Sequence, residues 1–195
     1  YFNLIKDRLE QIGYTVYARI VNAADYGIPQ LRCRLIIVGV RSDVRKKYVF
    51  PKATHGIDSK NHLDYVAIEE VIESLAPPSP KYYFSERAVQ GVKNAKPNMK
   101  RALAQDIKKP CLTITSHLAK VSLNSRDPVL LVDQQRELYR RFTPLEAARI
   151  QSFPDSFIFC GSEGDAYRQI GNAIPPVLFW HVTRSVIKQL FNNRK

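Results

Sequence analysis

Gln30, Arg32 and Arg34 occupy alternate positions in the stretch Gln30-Leu31-Arg32-Cys33-Arg34. In an extended chain alternate side chains project to one side, so two guanidinium forks and a carboxamide share a face while Leu31 and Cys33 share the other. Such a dense donor array suits a phosphate or the carbonyl of a nucleic-acid base. A strand end with two solvated arginines fits the same spacing equally well. A second segment, Tyr167-Arg168-Gln169-Ile170-Gly171-Asn172-Ala173-Ile174-Pro175-Pro176, reads as a tight Gly-Asn turn that delivers the chain to a helix start. Free N–H groups there can hold a carboxylate or phosphate, although an ordinary capped turn reads the same way.

Other reactive residue types offer less. Cys33, Cys111 and Cys160 are an odd number with no close pair, which fits neither a disulfide framework nor a zinc site. A reducing cytosol is the compartment expected from this usage. A nucleophilic thiol needs a lowered pKa, and the alternating, β-prone run Lys109-Pro110-Cys111-Leu112-Thr113-Ile114-Thr115 contains no evident activating base, so Cys111 reads as structural. Cys33 and Cys160 read likewise. His55, His62, His117 and His181 lack metal-ligand spacing, and no metal is expected.

Charge points to the partner. The 195 residues carry 30 Lys and Arg against 18 Asp and Glu, a net +12. Residues 81–126 hold ten Lys or Arg against only Glu86 and Asp106, whereas residues 41–80 are neutral. Cations clustered in this way release condensed counterions when they neutralise backbone phosphates, so a salt-sensitive nucleic-acid surface is expected. Arg87, Lys93, Lys100, Arg101 and Arg126 are the candidate nucleic-acid contacts, with Asn94 and Gln105 also chemically able to read bases. A solvated basic face is the bland alternative. No apolar run is long enough to cross a bilayer and no secretion signal opens the chain, so a membrane partner is not expected.

The elements that must position these groups follow from periodicity. Phe2, Leu4, Ile5, Leu9 and Ile12 predict an amphipathic helix over residues 2–12 that ends at Gly13. Tyr14 to Val21 and Arg32 to Val40 predict strands of an α/β sheet buried on both faces. Residues 41–133 are punctuated by prolines; a helix is expected from an Asp64 cap to Leu75, with short strands at Cys111–Thr115 and Val129–Val132. Thr143-Pro144-Leu145-Glu146 has the pattern of a capping box opening a helix that ends near Ser152, and a last helix runs from Pro175-Pro176 to about Phe191. Regular ends thus enclose an irregular, basic middle. Tyr1 already lies in apolar periodic sequence and is not a methionine, so the sequence is expected to begin inside a longer polypeptide.

Three segments together resemble a known family. Asn22-Ala-Ala-Asp-Tyr-Gly-Ile-Pro-Gln-Leu-Arg-Cys-Arg34, Arg140-Arg-Phe-Thr-Pro-Leu-Glu-Ala-Ala-Arg-Ile-Gln-Ser-Phe-Pro-Asp155 and Gly171-Asn-Ala-Ile-Pro-Pro176 resemble, in order, the eighth, ninth and tenth motifs of DNA (cytosine-5) methyltransferases. The resemblance covers both ends of the chain; the middle matches the family's target-recognition region in position and charge only. It implies the C-terminal part of a Rossmann-like α/β methyltransferase sheet domain, formed by residues 1–43 and 134–195, interrupted by a small, irregular target-recognition domain over 44–133. It also implies the family's chemistry: cytosine is flipped from the duplex, a cysteine thiolate attacks carbon 6, and a methyl group passes from S-adenosylmethionine to carbon 5.

By the same resemblance Arg34 holds the carbonyl of the flipped base, with Arg32 and Gln30 in support, and Asn172 and Ala173 approach the methionine end of the cofactor. Arg140, Thr143, Pro144, Glu146 and Arg149 match the ninth motif, which braces the recognition domain. Leu145 stands where many relatives have arginine and Ser152 where glycine is usual. The sequence holds no Phe-x-Gly-x-Gly loop, no Pro-Pro-Cys-Gln segment and no Glu-Asn-Val segment. The expectation is therefore a double-stranded DNA-binding chain, inactive alone, whose nucleophile comes from an N-terminal catalytic half of the same enzyme or from a separate subunit. Its setting would be bacterial, cytoplasmic and nucleoid-associated, as in restriction-modification. A non-catalytic DNA-binding or specificity subunit derived from the family is the competing reading, and a generic basic α/β domain requires all three matches to be coincidence.

Overall fold

The computed structural model describes residues 1–57, 63–72, 79–94, 104–120 and 127–191. Helix α1 (Phe2–Gln11) is closed by Gly13, which takes φ +90° and donates its N–H to the Glu10 carbonyl at 3.0 Å. Glycine is favoured there because a Cβ is strained in the left-handed region. No residue of α1 is buried, although Leu4 and Ile5 lie in its apolar periodicity.

Strands β1 (Tyr14–Asn22) and β2 (Cys33–Arg41) pair antiparallel, from Tyr14 opposite Arg41 to Asn22 opposite Cys33. One face of this hairpin carries Val21 and Ile36 onto a core with Tyr26, Ile28 and Leu178. On the other face Ile20 and Leu35, directly opposed, remain 69% and 47% exposed. Burial on both faces, expected from the apolar run, is thus not met among the described residues. The reason is physical: two strands offer one covered face only when a single layer packs on them.

The middle region departs from its expected pattern at two places. Asp64–Ala67 is not helical and only a single 3-10 turn forms at Ile68–Glu70, so the helix expected from an Asp64 cap does not form over the described residues. Its N–H groups are already engaged, Ile68 with the Lys109 carbonyl at 3.1 Å and Glu69 with that of Ile107 at 2.9 Å. These long-range partners outweigh local helix propensity. The rest of that expectation, residues 73–78, lies outside the described residues. Cys111–Thr115 forms an isolated parallel bridge, Cys111 with Gln30, rather than a full strand. Helix α2 (Glu86–Lys93) and the hairpin of β3 (Leu130–Asp133) and β4 (Leu138–Arg140) share a small cluster of Val89, Val129 and Tyr139.

Helix α3 (Pro144–Ile150) starts with the capping box read from sequence. Thr143 Oγ1 accepts the Glu146 N–H at 3.2 Å and Glu146 Oε2 accepts the Thr143 N–H at 2.8 Å. The same carboxylate takes two bonds of 2.7 Å from the fully buried Arg140, fixing β4 against α3. Helix α4 (Glu163–Asn172) follows, capped by Ser162 and Asp165, and then α5 (Pro176–Val186), prolonged by a π turn at Ile187–Phe191. The Gly-Asn turn expected at Tyr167–Pro176 is corrected here: Tyr167–Asn172 is helical, and only Ala173–Pro175 is extended before α5. The larger core joins Ile68, Cys111, Ile114, Leu118 and Leu130 to Phe142, Ile150, Tyr167 and Ile170, so the middle region and the last third share one interior.

Candidate functional site

The start of β2 is laid against the run Lys109–Thr115. The Cys111 N–H bonds the Pro29 carbonyl at 2.8 Å, the Leu31 N–H bonds the Cys111 carbonyl at 2.7 Å, and Thr113 Oγ1 donates to the Leu31 carbonyl at 2.7 Å. Cys111 is consequently buried, and burial pushes its thiol well above the usual range, the opposite of nucleophilic activation.

Gln30 and Arg32 point inward, 0% and 2% exposed, and Arg34 is half-buried, as alternation along the strand requires. Arg32 Nη1 donates to the Ile114 carbonyl at 2.7 Å, and Nη2 to the carbonyls of Gly171 and Ala173 at 2.8 and 3.0 Å. Gln30 accepts the Ile114 N–H at 3.0 Å and gives its own amide to Gln151 Oε1 at 2.5 Å. Gln151, also fully buried, donates from Nε2 to the carbonyls of Ile170 and Ala173 at 3.0 and 2.7 Å. One polar node therefore joins the strand, the middle run, the exit of α3 and the bend after α4. Burial first, and Arg34 second, push Arg32 down to about 10, so it stays charged at neutral pH. Its Nε is buried without a hydrogen-bond partner among the described residues.

Arg34 stands at the margin of this node, its Nη1 bonded to the adjacent Cys33 carbonyl at 2.7 Å. At the other end of the bend Asn172 is exposed and Ala173 half-buried. The close approach that brings them here depends on Gly171: a Cβ on it would lie 2.2 Å from the Thr115 carbonyl carbon and 2.3 Å from the Ser116 nitrogen. Ser152, where glycine is usual in the family, adopts φ +67°, a region that favours glycine. Its hydroxyl accepts the Val177 N–H at 3.2 Å, tying the exit of α3 to the first turn of α5.

The surface around Asn172 has the donor chemistry that an S-adenosylmethionine headgroup would need. The exposed Asn172 carboxamide can pair with an amino-acid headgroup, and Ile174, Val177 and Trp180 give an exposed apolar surface beside it in sequence. The DNA candidates are less gathered. Arg87 is exposed on α2, Lys93 is exposed and paired with Glu137, Asn94 is exposed, and Gln105 is half-buried with its oxygen on the Leu112 N–H at 3.1 Å. Lys100, Arg101 and Arg126 lie outside the described residues, as does His62. Among the described residues no group of three His, Cys, Asp or Glu side chains could hold a metal ion.

Sequence reasoning singled out neither Gln151 nor the cluster in which Glu163 receives Lys81, Tyr82 and Arg141. A signal for Gln151 exists: it follows Ala147 by four, which sets a carboxamide in line with the apolar stripe at the exit of α3.

Comparison with known proteins places this geometry. The chain is 34% identical over 206 residues to the type II methyltransferase M.BspRI of Lysinibacillus sphaericus, covering 95% of this chain and 46% of that protein. It is 31% identical over 195 residues to M.AplI of Arthrospira platensis, covering 98% and 53% respectively. The chain thus spans about half the length of these relatives. The crystal structure of S. pombe Dnmt2 methyltransferase matches its fold with a TM-score of 0.73 at 17% identity, over 96% of this chain and 61% of that one. Among the described residues no helix is long and apolar enough to cross a membrane. The mixed α/β architecture is part of a methyltransferase fold, and with the C-5 cytosine-specific DNA methylase model matching residues 1–188, the chain belongs to that family.

Proposed function

We propose that this chain is the C-terminal portion of a DNA (cytosine-5-) methyltransferase, supplying DNA recognition and one wall of the base and cofactor pocket. The observation that carries the reading is Arg32, which bonds the Ile114 carbonyl on one side and the Gly171 and Ala173 carbonyls on the other. The segments that resemble the base-facing and cofactor-facing motifs are thereby held in one place.

In this reading residues 44–133 form the recognition domain, and the remainder completes the catalytic domain. Arg34, bonded only to its neighbour's carbonyl among the contacts above, turns its guanidinium to the carbonyl of the flipped cytosine. When a thiolate adds to carbon 6, electron density moves onto that carbonyl, and the fixed cation stabilises it. Gln30 and Arg32 are struts that keep the strand in register. Asn172 and Ala173 hold the amino-acid end of S-adenosylmethionine, which supplies the methyl group. Arg87, Lys93, Lys100, Arg101 and Arg126 are the cations available for DNA contact. The nucleophile, the acid at the base and the Gly-rich loop come from an N-terminal half, whether joined or separate, and this chain alone does not methylate. The setting proposed with this reading is bacterial, cytoplasmic and nucleoid-associated.

The test is Arg34→Ala in this chain combined with its N-terminal half. Methyl transfer is expected to fall about 100-fold or more, while DNA affinity and its salt slope stay within a factor of about two. A loss of transfer below about threefold would assign the chain to a docking role without part in the chemistry.

A further inference from the structure

Gln151 belongs to neither the base-facing strand nor the bend after α4, yet it holds both. The last carbonyls of a helix have no partner within it and need donors from elsewhere. At the C-terminus of α4 the Ala173 N–H closes on the Gln169 and Ile170 carbonyls at 3.1 and 3.2 Å, and the further donors are side chains from distant segments. Gln151 Nε2 serves the carbonyls of Ile170 and Ala173, and Arg32 Nη2 serves those of Gly171 and Ala173. Ala173 itself is extended, with φ −70° and ψ +153°, so the bend leaves helical geometry at the residue these donors share. The Gln151 oxygen is meanwhile occupied by the Gln30 amide at 2.5 Å, and its backbone N–H closes α3 on the Ala147 carbonyl at 3.0 Å. Both polar atoms of this buried side chain are committed, the oxygen to Gln30 ahead of β2 and the nitrogen to the end of α4.

We propose that Gln151 is a positioning residue: it caps α4 from outside and so sets Asn172 and Ala173 relative to the strand that carries Arg34. This rests on the methyltransferase reading above and adds to it a defined route by which the cofactor-facing bend and the base-facing strand share one register. Displacing the bend disturbs the Gln30 contact, and displacing the strand disturbs the bend.

The test uses Gln151→Glu, which keeps an acceptor for the Gln30 amide but turns an oxygen toward the carbonyls of Ile170 and Ala173. Gln151→Met, which keeps the volume and removes both functions, is the second variant in case the carboxylate prevents folding. In the chain itself, amide hydrogen exchange at residues 172–174 is expected to accelerate roughly 10-fold or more, while Ala166 and Tyr167 keep their protection. In combination with the N-terminal half, KM for S-adenosylmethionine is expected to rise about 10-fold, with DNA affinity unchanged. Unchanged exchange at 172–174, or a lowered melting temperature with KM unaltered, overturns the proposal and leaves Gln151 a packing residue. A wild-type pair that transfers no methyl group sinks the methyltransferase reading, and with it the cofactor role of Gln151, whatever the exchange result.

Discussion

Arg32 carries its charge into an interior where its four side-chain bonds run to three backbone carbonyls and a glutamine oxygen. Such an arrangement is costly unless every contact is kept, because a buried cation that loses acceptors regains no water. Gly171 guards the contact from the other side, since its missing Cβ lets α4 reach the backbone of Thr115 and Ser116. Gly171→Ala is therefore expected to destabilise the chain by about 3 kcal/mol, read by urea denaturation with an unchanged slope. A loss below about 1 kcal/mol would mean that the two backbones can separate at little cost. The alternation of Gln30, Arg32 and Arg34 was legible from the sequence because a strand fixes which side chains share a face. What it left open was which of them other segments cover. Two of the three proved to be internal struts, and only packing from residues 109–115, 151 and 171–173 decides that. Ser152 was legible as a departure from glycine, but its φ of +67° and its bond to Val177 belong to the fold alone.

At the scale of elements, α3 was readable since Thr143, Pro144 and Glu146 each favour a helix start by a local mechanism. α4 was not, although Ser162 and Asp165 make a capping box with aspartate in the reciprocal position. Gly164 and Gly171 lower its intrinsic propensity, and burial of Tyr167 and Ile170 restores it. The same competition removed the helix expected after Asp64, where neighbouring carbonyls captured the backbone donors. Docking of α4 adds a pH dependence through Glu163. Burial raises its carboxyl, but hydrogen bonds from Lys81 and Tyr82 and the charge of Arg141 outweigh burial and hold it below its ordinary value of 4.5. A folded value below the unfolded one contributes stability that is present above pH 4.5 and lost as the pH falls through the lower, folded value. Thermal melts between about pH 5 and about pH 3 should show this loss, and Glu163→Gln should reduce the slope across that window. An identical slope in the variant would place the acid sensitivity elsewhere.

The whole molecule exposes the apolar surfaces that a larger enzyme would cover. Ile20 and Leu35 on the hairpin, Leu4 and Ile5 on α1, and Phe179 and Trp180 on α5 lie open, more than scattered surface apolar residues require. The chain also matches only about half the length of its curated relatives. Both observations favour the proposal that an N-terminal half completes the sheet and brings the remaining chemistry. Order and charge of the segments made this organisation legible in outline. The shared interior of the middle region and the last third was hidden, because the gathering of Cys111 and Ile170 into one core arises from tertiary packing that no local pattern announces. The most direct measurement is transfer of a labelled methyl group from S-adenosylmethionine to duplex DNA by this chain, by its N-terminal half, and by the two together. Transfer by the pair and by neither alone is the predicted result; methylation by this chain unaided, or its absence from a pair that binds stably, would contradict the account.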